Sequence, residues 1–192
     1  KNKKCDFSYK STPYSFSKQF AQICVQYFRQ KYNLFAVNGI LYNHDSHRRR
    51  NDFFMKEFKS NLNKWILTRK PFKVYNINLY KDWSHSKDFV DCYIKILNYH
   101  EPCDWVIGSG YKYTIRKVCE LFFKSSKIKY FKIENKKSIN YYELKSKKKI
   151  FTGLKTSKKF FHNKKLIKYT QKKLNWHPKI NLKQIVNEIY ES

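Results

Sequence analysis

Apolar residues recur along this chain at helical and strand-like spacings in alternation. Phe20, Cys24, Tyr27 and Phe28 fall at i, i+4, i+7 and i+8 within residues 14–31, and Thr12 followed by Pro13 suits a helix start, so the spacing predicts a helix with one buried face. Residues 34–41, LFAVNGIL, form a mostly apolar run between polar flanks, which predicts a strand covered on both sides. A helix running directly into a buried strand is half of an α/β unit. The polar segment NHDSHRRRND reads as a loop. Phe54, Phe58, Leu62 and Trp65 then mark a helix that lasts to Arg69, where Lys70 and Pro71 end it. VYNINL reads as a short strand, KDFVDCYIKIL as an amphipathic helix and WVIGS as a buried strand, while Thr114 can cap the helix IRKVCELFF.

From Lys124 to Lys149 lysines crowd around one strand, IKYFKI, and the stretch KSKKK has no periodicity, so it is expected as a solvated loop. Two helices, KKLIKYTQKKL and INLKQIVNEIY, close the chain. NWHP joins them, and Trp176 is expected to pack between them. No internal repeat or linker domain is visible.

With 192 residues, 41% of them apolar, the chain can bury one core or two small lobes sharing one, as a globular α/β protein. No run of 18 or more apolar residues occurs, and the start KNKKCDFSYK has no apolar stretch after its charges. Neither a membrane span nor a signal peptide is readable, and a cytoplasmic location follows. Cys5, Cys24, Cys92, Cys103 and Cys119 are odd in number and form no CxxC pair, so free thiols in a reducing compartment and no metal site are expected. The net charge of +28 allows attraction to nucleic acid or other phosphates, though only as nonspecific charge. Abundant Lys, Asn, Ile, Tyr and Phe beside only four Gly and four Pro fit AT-rich codons better than selection for a polyanion; either way the surface is basic.

Tyr14 and Lys18 form a Tyr-x-x-x-Lys pair whose four-residue spacing puts both side chains on one helix face. A tyrosine that exchanges a proton during hydride transfer needs a nearby ammonium to favour its phenolate, and the same lysine can hold the ribose of a nicotinamide cofactor. Tyr and Lys are so common here that the pair alone says little. Its context says more, because TPYSFSK opens a helix leading through KYNLFAVNGILYNHDSHRRR into a buried strand and a basic loop.

That context resembles the GDP-mannose 4,6-dehydratases, extended short-chain dehydrogenase/reductases whose Tyr-x-x-x-Lys helix is followed by NLFAVNGILFNHESPRRG. This chain has NLFAVNGILYNHDSHRRR at the same distance from Tyr14. KDWSHSKDFVD is similar to the family's RDWGHAKDYVE, WVIGSGYKYTIRKV to VIATGETHSVREF, and KLNWHPKINLKQIV to KLGWKPKVSFEELV. The resemblance implies a Rossmann-type parallel sheet with a smaller α/β substrate domain. Residues 1–49 and 82–110 would belong to the NADP-binding part, and 50–81 and 111–192 to the sugar-nucleotide part. It implies conversion of GDP-mannose to GDP-4-keto-6-deoxymannose with NADP, which takes hydride from carbon 4 and returns it to carbon 6. By position, Tyr14 matches the tyrosine that removes the carbon 4 hydroxyl proton and Lys18 its partner lysine, both also touching the cofactor. His44 and Arg49 match NADP-contacting residues, and Asn43 and Lys81 match positions near the substrate diphosphate.

The pattern also departs from the family. No Gly-rich phosphate turn is present, since Gly108 and Gly110 form only GSG at the end of a late strand. By the resemblance that turn, the first sheet strands and the family's catalytic Thr and Glu would precede Lys1. Thr156 and Lys159 stand where the family has an arginine and a glutamate near the guanosine, Lys81 replaces an arginine, Lys56 and Glu57 replace an Arg-Lys pair, and Arg50 replaces a glycine. Three readings stay open on the sequence alone. They are part of a dehydratase completed by a separate N-terminal half or acting as a homo-oligomer, a non-catalytic basic remnant that binds nucleic acid or another polyanion, and a decayed product whose first strand leaves an open edge.

Overall fold

The structure is a computed structural model and describes residues 12–192. Helix α1 spans Pro13–Tyr32; Thr12 Oγ1 caps it by accepting from Ser15 N at 3.2 Å, and Asn33 ends it in the left-handed region at φ 50°. The chain then forms β1 (Asn38–Leu41) and β2 (Asn43–Asp45), which follow one another along a single extended segment. β1 pairs in parallel with β6 (Asp104–Ile107), Asn38 opposite Asp104, and β2 pairs in parallel with β5 (Trp83–His85), Asn43 opposite Trp83. Helix α3 (Ser86–Leu97) connects β5 to β6, the helical crossover that parallel strands require.

The second layer is a four-stranded sheet in the order β3 (Phe72–Val74), β10 (Lys149–Leu154), β9 (Ser138–Glu143), β8 (Tyr130–Glu134). β10 is parallel to β3 and antiparallel to β9, which is antiparallel to β8. One face of this sheet, through Ile139, Tyr141 and Phe151, packs on α2 (Phe54–Thr68), α4 (Ile115–Ser125) and α6 (Leu182–Glu191). Phe58, Trp65, Phe122 and Ile185 are all buried there, and Trp65 Nε1 donates to Lys149 O at 2.8 Å. A second cluster joins Phe89 and Cys92 of α3, Trp105 and Ile107 of β6, and Leu174 and Trp176 after α5 (Lys164–Lys173). A short antiparallel pair, β4 (Tyr80–Lys81) and β7 (Tyr113–Thr114), lies between these parts of the chain.

Several sequence expectations need correction. α1 forms as expected but buries none of its residues: Phe20 and Tyr27 are half or more exposed. The strand expected over 34–41 is confined to Asn38–Leu41, and Leu34, Phe35, Ile40 and Leu41 are exposed rather than covered. VYNINL is not a strand, because β3 stops at Val74 and the chain turns through Asn76 at φ 58°. Trp176 packs on Phe89 of α3 and donates to Asp88 O at 3.0 Å instead of sitting between α5 and α6. The lysine-rich stretch holds two strands and the first residue of a third, not one strand, with KSKKK mostly in the turn between β9 and β10. Cys5 lies outside the described residues, and Cys24, Cys92, Cys103 and Cys119 are free.

Candidate active site

Tyr14 and Lys18 occupy the first turns of α1, and the Lys18 Nζ stands 5.6 Å from the centre of the Tyr14 ring. Both line a groove of about 480 Å³ between α1 and β1, together with Gln22, Asn38, Gly39 and Ile40. Tyr14 is 71% exposed, so its phenol oxygen is accessible from the groove's open side. Among the described residues no acidic side chain lines this groove.

A polar clamp holds α1 in place. Asp104, at the start of β6, accepts from Arg29 Nη2 at 2.6 Å, Gln26 Nε2 at 2.6 Å and Asn38 Nδ2 at 3.0 Å. Burial alone would raise this carboxyl, but the donors from Arg29, Gln26 and Asn38 outweigh it and hold it below the usual range. Arg29 Nε also donates to Ala36 O at 2.6 Å, tying the end of the helix to the segment that leads into β1.

The segment that starts with β1 beside the groove continues as β2 into a second cavity of about 370 Å³, lined by Asn43, Asp45, Arg49, Lys81, Trp83 and several aromatic rings. Asn43 Nδ2 donates to Asp82 O at 3.1 Å, which fixes its amide. The Arg49 guanidinium lies 3.4 Å over the Phe53 ring, and its Nε is 3.4 Å from Asp45 Oδ1. Both of those polar atoms are buried and make no hydrogen bond. Burial pushes the Asp45 carboxyl up to about 6, against the lowering pull of Arg49. Lys81 Nζ is 5.9 Å from the Phe160 ring centre.

Asn43, Arg49 and Lys81 therefore share one cavity, and Tyr14 and Lys18 share another. His44 lines neither of the two. Its ring packs on Phe89 at 4.7 Å, and its Nδ1 is 3.3 Å from Tyr42 O. Burial pushes His44 below its ordinary value, more strongly than the Tyr42 carbonyl raises it.

Two clusters were not foreseen. Asp82, fully buried, accepts from Ser109 N at 2.9 Å, Ser109 Oγ at 2.6 Å, Gly110 N at 2.9 Å and His162 Nε2 at 2.9 Å. The GSG sequence was the available signal, because a tight turn around a carboxylate needs bare backbone: a Cβ on Gly108 would meet Tyr42 Cδ2 at 2.8 Å. Glu188 of α6 bridges His47 at 2.5 Å and His85 at 2.8 Å. Burial would raise Glu188, but the His47 and His85 contacts hold it at about 2. Among the described residues no group of three or more His, Cys, Asp or Glu is arranged to hold a metal ion, and no helix is long and apolar enough to cross a membrane.

The model of the family described as GDP-mannose 4,6 dehydratase matches residues 5–189. This chain belongs to that family. It is 31% identical over 190 residues to GDP-mannose 4,6 dehydratase of Cricetulus griseus, covering 96% of this chain and 50% of that protein. It is 34% identical over 113 residues to GDP-mannose 4,6-dehydratase of Vibrio cholerae, covering 58% of this chain and 30% of the relative. The chain thus spans half or less of the length of these curated dehydratases. Among solved structures, RMD from Pseudomonas aeruginosa complexed with NADPH superposes with TM-score 0.72 at 14% identity, over 94% of this chain and 55% of that one. The dTDP-glucose 4,6-dehydratase of Bacillus anthracis in complex with NAD superposes with TM-score 0.70 at 17% identity, over 94% and 51%. At such identities these two establish the α/β, Rossmann-like fold and nothing finer.

Proposed function

We propose that this dehydratase-family chain carries the C-terminal share of a GDP-mannose 4,6-dehydratase, converting GDP-mannose to GDP-4-keto-6-deoxymannose. The observation that carries the reading is that one chain segment serves two separate cavities: Asn38–Leu41 lines the Tyr14–Lys18 groove, and Asn43 and Asp45, a few residues on, line the cavity that holds Arg49 and Lys81.

In this reading residues 1–49 and 82–110 serve the cofactor, and residues 50–81 and 111–192 serve the sugar nucleotide. The groove fits an anionic dinucleotide in its chemistry, since Lys18 faces it, Gly39 presents backbone without a side chain and no carboxylate of the described residues lines it. NADP, when bound, supplies a temporary store for the hydride that leaves carbon 4 and returns at carbon 6. Tyr14 takes the proton of the carbon 4 hydroxyl. Lys18, one turn along the same helix face, balances the resulting phenolate and holds the cofactor ribose. Arg49 and Lys81 bring positive charge to the cavity beside the carboxyls of Asp45 and Glu57; Arg49, together with His44 outside the cavity, serves the cofactor and Lys81 the substrate diphosphate. Asn43, its amide fixed by Asp82 O, orients that diphosphate. Asp45 Oδ1 and Arg49 Nε face each other at 3.4 Å, so the carboxylate holds the Arg49 guanidinium at the edge of the cavity.

The N-terminal part of the enzyme or a second copy is the proposed partner. Phe20, Ile23 and Tyr27, exposed at i, i+3 and i+7 on α1, offer it an apolar surface. The free thiols are in keeping with a cytoplasmic setting.

The test is GDP-mannose turnover, read as loss of water by mass spectrometry. The chain is assayed alone and mixed with the N-terminal half of the Vibrio cholerae relative, with that relative's own C-terminal half as the positive control. Turnover that disappears in Tyr14→Phe supports the reading. Failure of this chain under conditions where the control complements would overturn it.

A further inference from the structure

We propose that the outward face of the four-stranded sheet, at β8, β9 and the start of β10, binds single-stranded nucleic acid through stacked aromatic rings flanked by lysines. Side chains alternate across a strand, so the registers of the sheet sort its residues onto two faces. Ile139, Tyr141 and Phe151 point into the core. Phe131, Ile133, Asn140 and Tyr142 therefore share the other face, with Phe131 opposite Tyr142 and Ile133 opposite Asn140. Ile133 is 57% exposed, and Phe131 and Tyr142 beside it are partly buried.

On that face the Phe131 and Tyr142 rings stack at 5.2 Å with 13° between their planes. Lys147 Nζ lies 5.2 Å over the Phe131 ring and Lys149 Nζ 5.7 Å over the Tyr142 ring. Asn140 accepts from the Thr152 hydroxyl at 2.7 Å, which leaves its amide hydrogens to donate to a base edge.

Charge alone would be a weak argument in a chain of net charge +28, but here Lys147 and Lys149 reach the outward rings while the carboxylates of this stretch are sorted to the other face. Residues 124–149 hold ten lysines against Glu134 and Glu143. Both carboxylates stand opposite core-side positions, Glu134 with Ile139 and Glu143 with Tyr130. They pair with cations there: Glu134 with Arg116 at 3.2 Å and Lys155 at 2.7 Å, and Glu143 with Arg69 at 3.4 Å. The outward face of β8 and β9 thus carries planar rings and no carboxylate.

Phosphates would follow the lysines while bases stack on the rings, a combination that suits a single strand. A duplex keeps its bases stacked inside, and a sulfated polysaccharide has no aromatic face to use the rings. Phe131, Asn140, Tyr142, Lys147 and Lys149 line neither the Tyr14 groove nor the Asn43 cavity, so this inference stands apart from the dehydratase reading.

The experiment is fluorescence anisotropy of the chain with labelled oligo(dT), with the matching duplex and heparin as competitors, across a salt series. Phe131→Leu combined with Tyr142→Leu is expected to weaken oligo(dT) binding by about fivefold or more, with the salt slope unchanged. Lys147→Gln combined with Lys149→Gln is expected to reduce the log–log salt slope by about 0.7 per lysine. Equal affinity of the leucine variant, or duplex and heparin competing as well as the single strand, would reduce the face to a general cation surface and overturn the proposal. Ultraviolet cross-linking of the unaltered chain to oligo(dU) gives a readout that does not depend on how the variants fold. Cross-links within residues 130–149 support the site, and cross-links confined to other segments contradict it.

Discussion

The clearest quantitative consequence concerns Asp104, because α1 buries no residue and depends on this carboxylate for its attachment. Asp104→Ala removes the acceptor for Arg29, Gln26 and Asn38 at once. A hydrogen bond to a charged group contributes about 1.5–3 kcal/mol. The side chains of Arg29 and Asp104 are 17% and 22% exposed, so the sum of three such bonds must be discounted for solvent screening. A loss of about 2–4 kcal/mol in the docking of α1 results, equivalent to a roughly thirty- to several-hundredfold larger opening equilibrium.

Hydrogen–deuterium exchange resolved by segment is the suitable assay, since the loss should be local. Amides of residues 13–32 should exchange faster by that factor, while those of α4, buried through Val118 and Phe122, should be nearly unchanged. The carboxyl is held below its ordinary value in the folded chain, so its stabilisation is complete above about pH 4 and fades as pH falls through the folded value. Unchanged protection of α1 in Asp104→Ala would show that apolar contact holds the helix. An equal loss throughout the chain would show that Asp104 supports the whole fold instead of one helix.

Asp45 titrates at about 6, above its unfolded value near 3.9, so its ionisation opposes folding: the cost is absent at low pH and develops as pH rises through the folded value. Asp45→Asn should therefore gain stability relative to the parent by up to about 3 kcal/mol between about pH 4 and pH 7, measured by urea unfolding at both; a pH-independent difference would refute this. Gly153→Ala should destabilise by about 1–3 kcal/mol, because a Cβ there meets Ile77 Cγ1 at 2.8 Å and Ile139 Cγ2 at 3.0 Å within the sheet packing; an unchanged urea midpoint would show that the packing relaxes freely.

Much of the fold was legible because its stripes find their partners within the chain. Phe58, Leu62 and Trp65 predicted α2 and bury completely or nearly so, and Thr114 caps α4 by accepting from Lys117 N at 3.1 Å. The stripe on α1 was equally clear as a helix, yet a periodic pattern does not say what covers it, and here Phe20 and Tyr27 stay exposed. β9 and β10 were missed because the density of lysines hid a plain alternation: in SINYYE, Ile139 and Tyr141 bury while Ser138, Asn140 and Tyr142 do not. In the candidate site, the spacing of Tyr14 and Lys18 was enough to place them on one helix face, where they share a groove, while their roles rest on the family resemblance. The Asp82 cluster was missed, because GSG was read only as a failed phosphate turn and the Asp82 residue itself gives no sign of the four donors the fold collects around it.

The most direct test of the proposed function is calorimetric titration of the chain with NADP over a salt series, comparing Lys18→Ala with Lys31→Ala. Both substitutions remove one positive charge from α1, but Lys18 lines the groove and Lys31 sits over Tyr27 and Tyr32 at the far end of the helix. The account predicts saturable binding that survives salt, weakens by about tenfold or more in Lys18→Ala and is unaffected by Lys31→Ala. Equal weakening by both substitutions, or binding that vanishes in modest salt, would contradict it and leave the groove as one more basic surface.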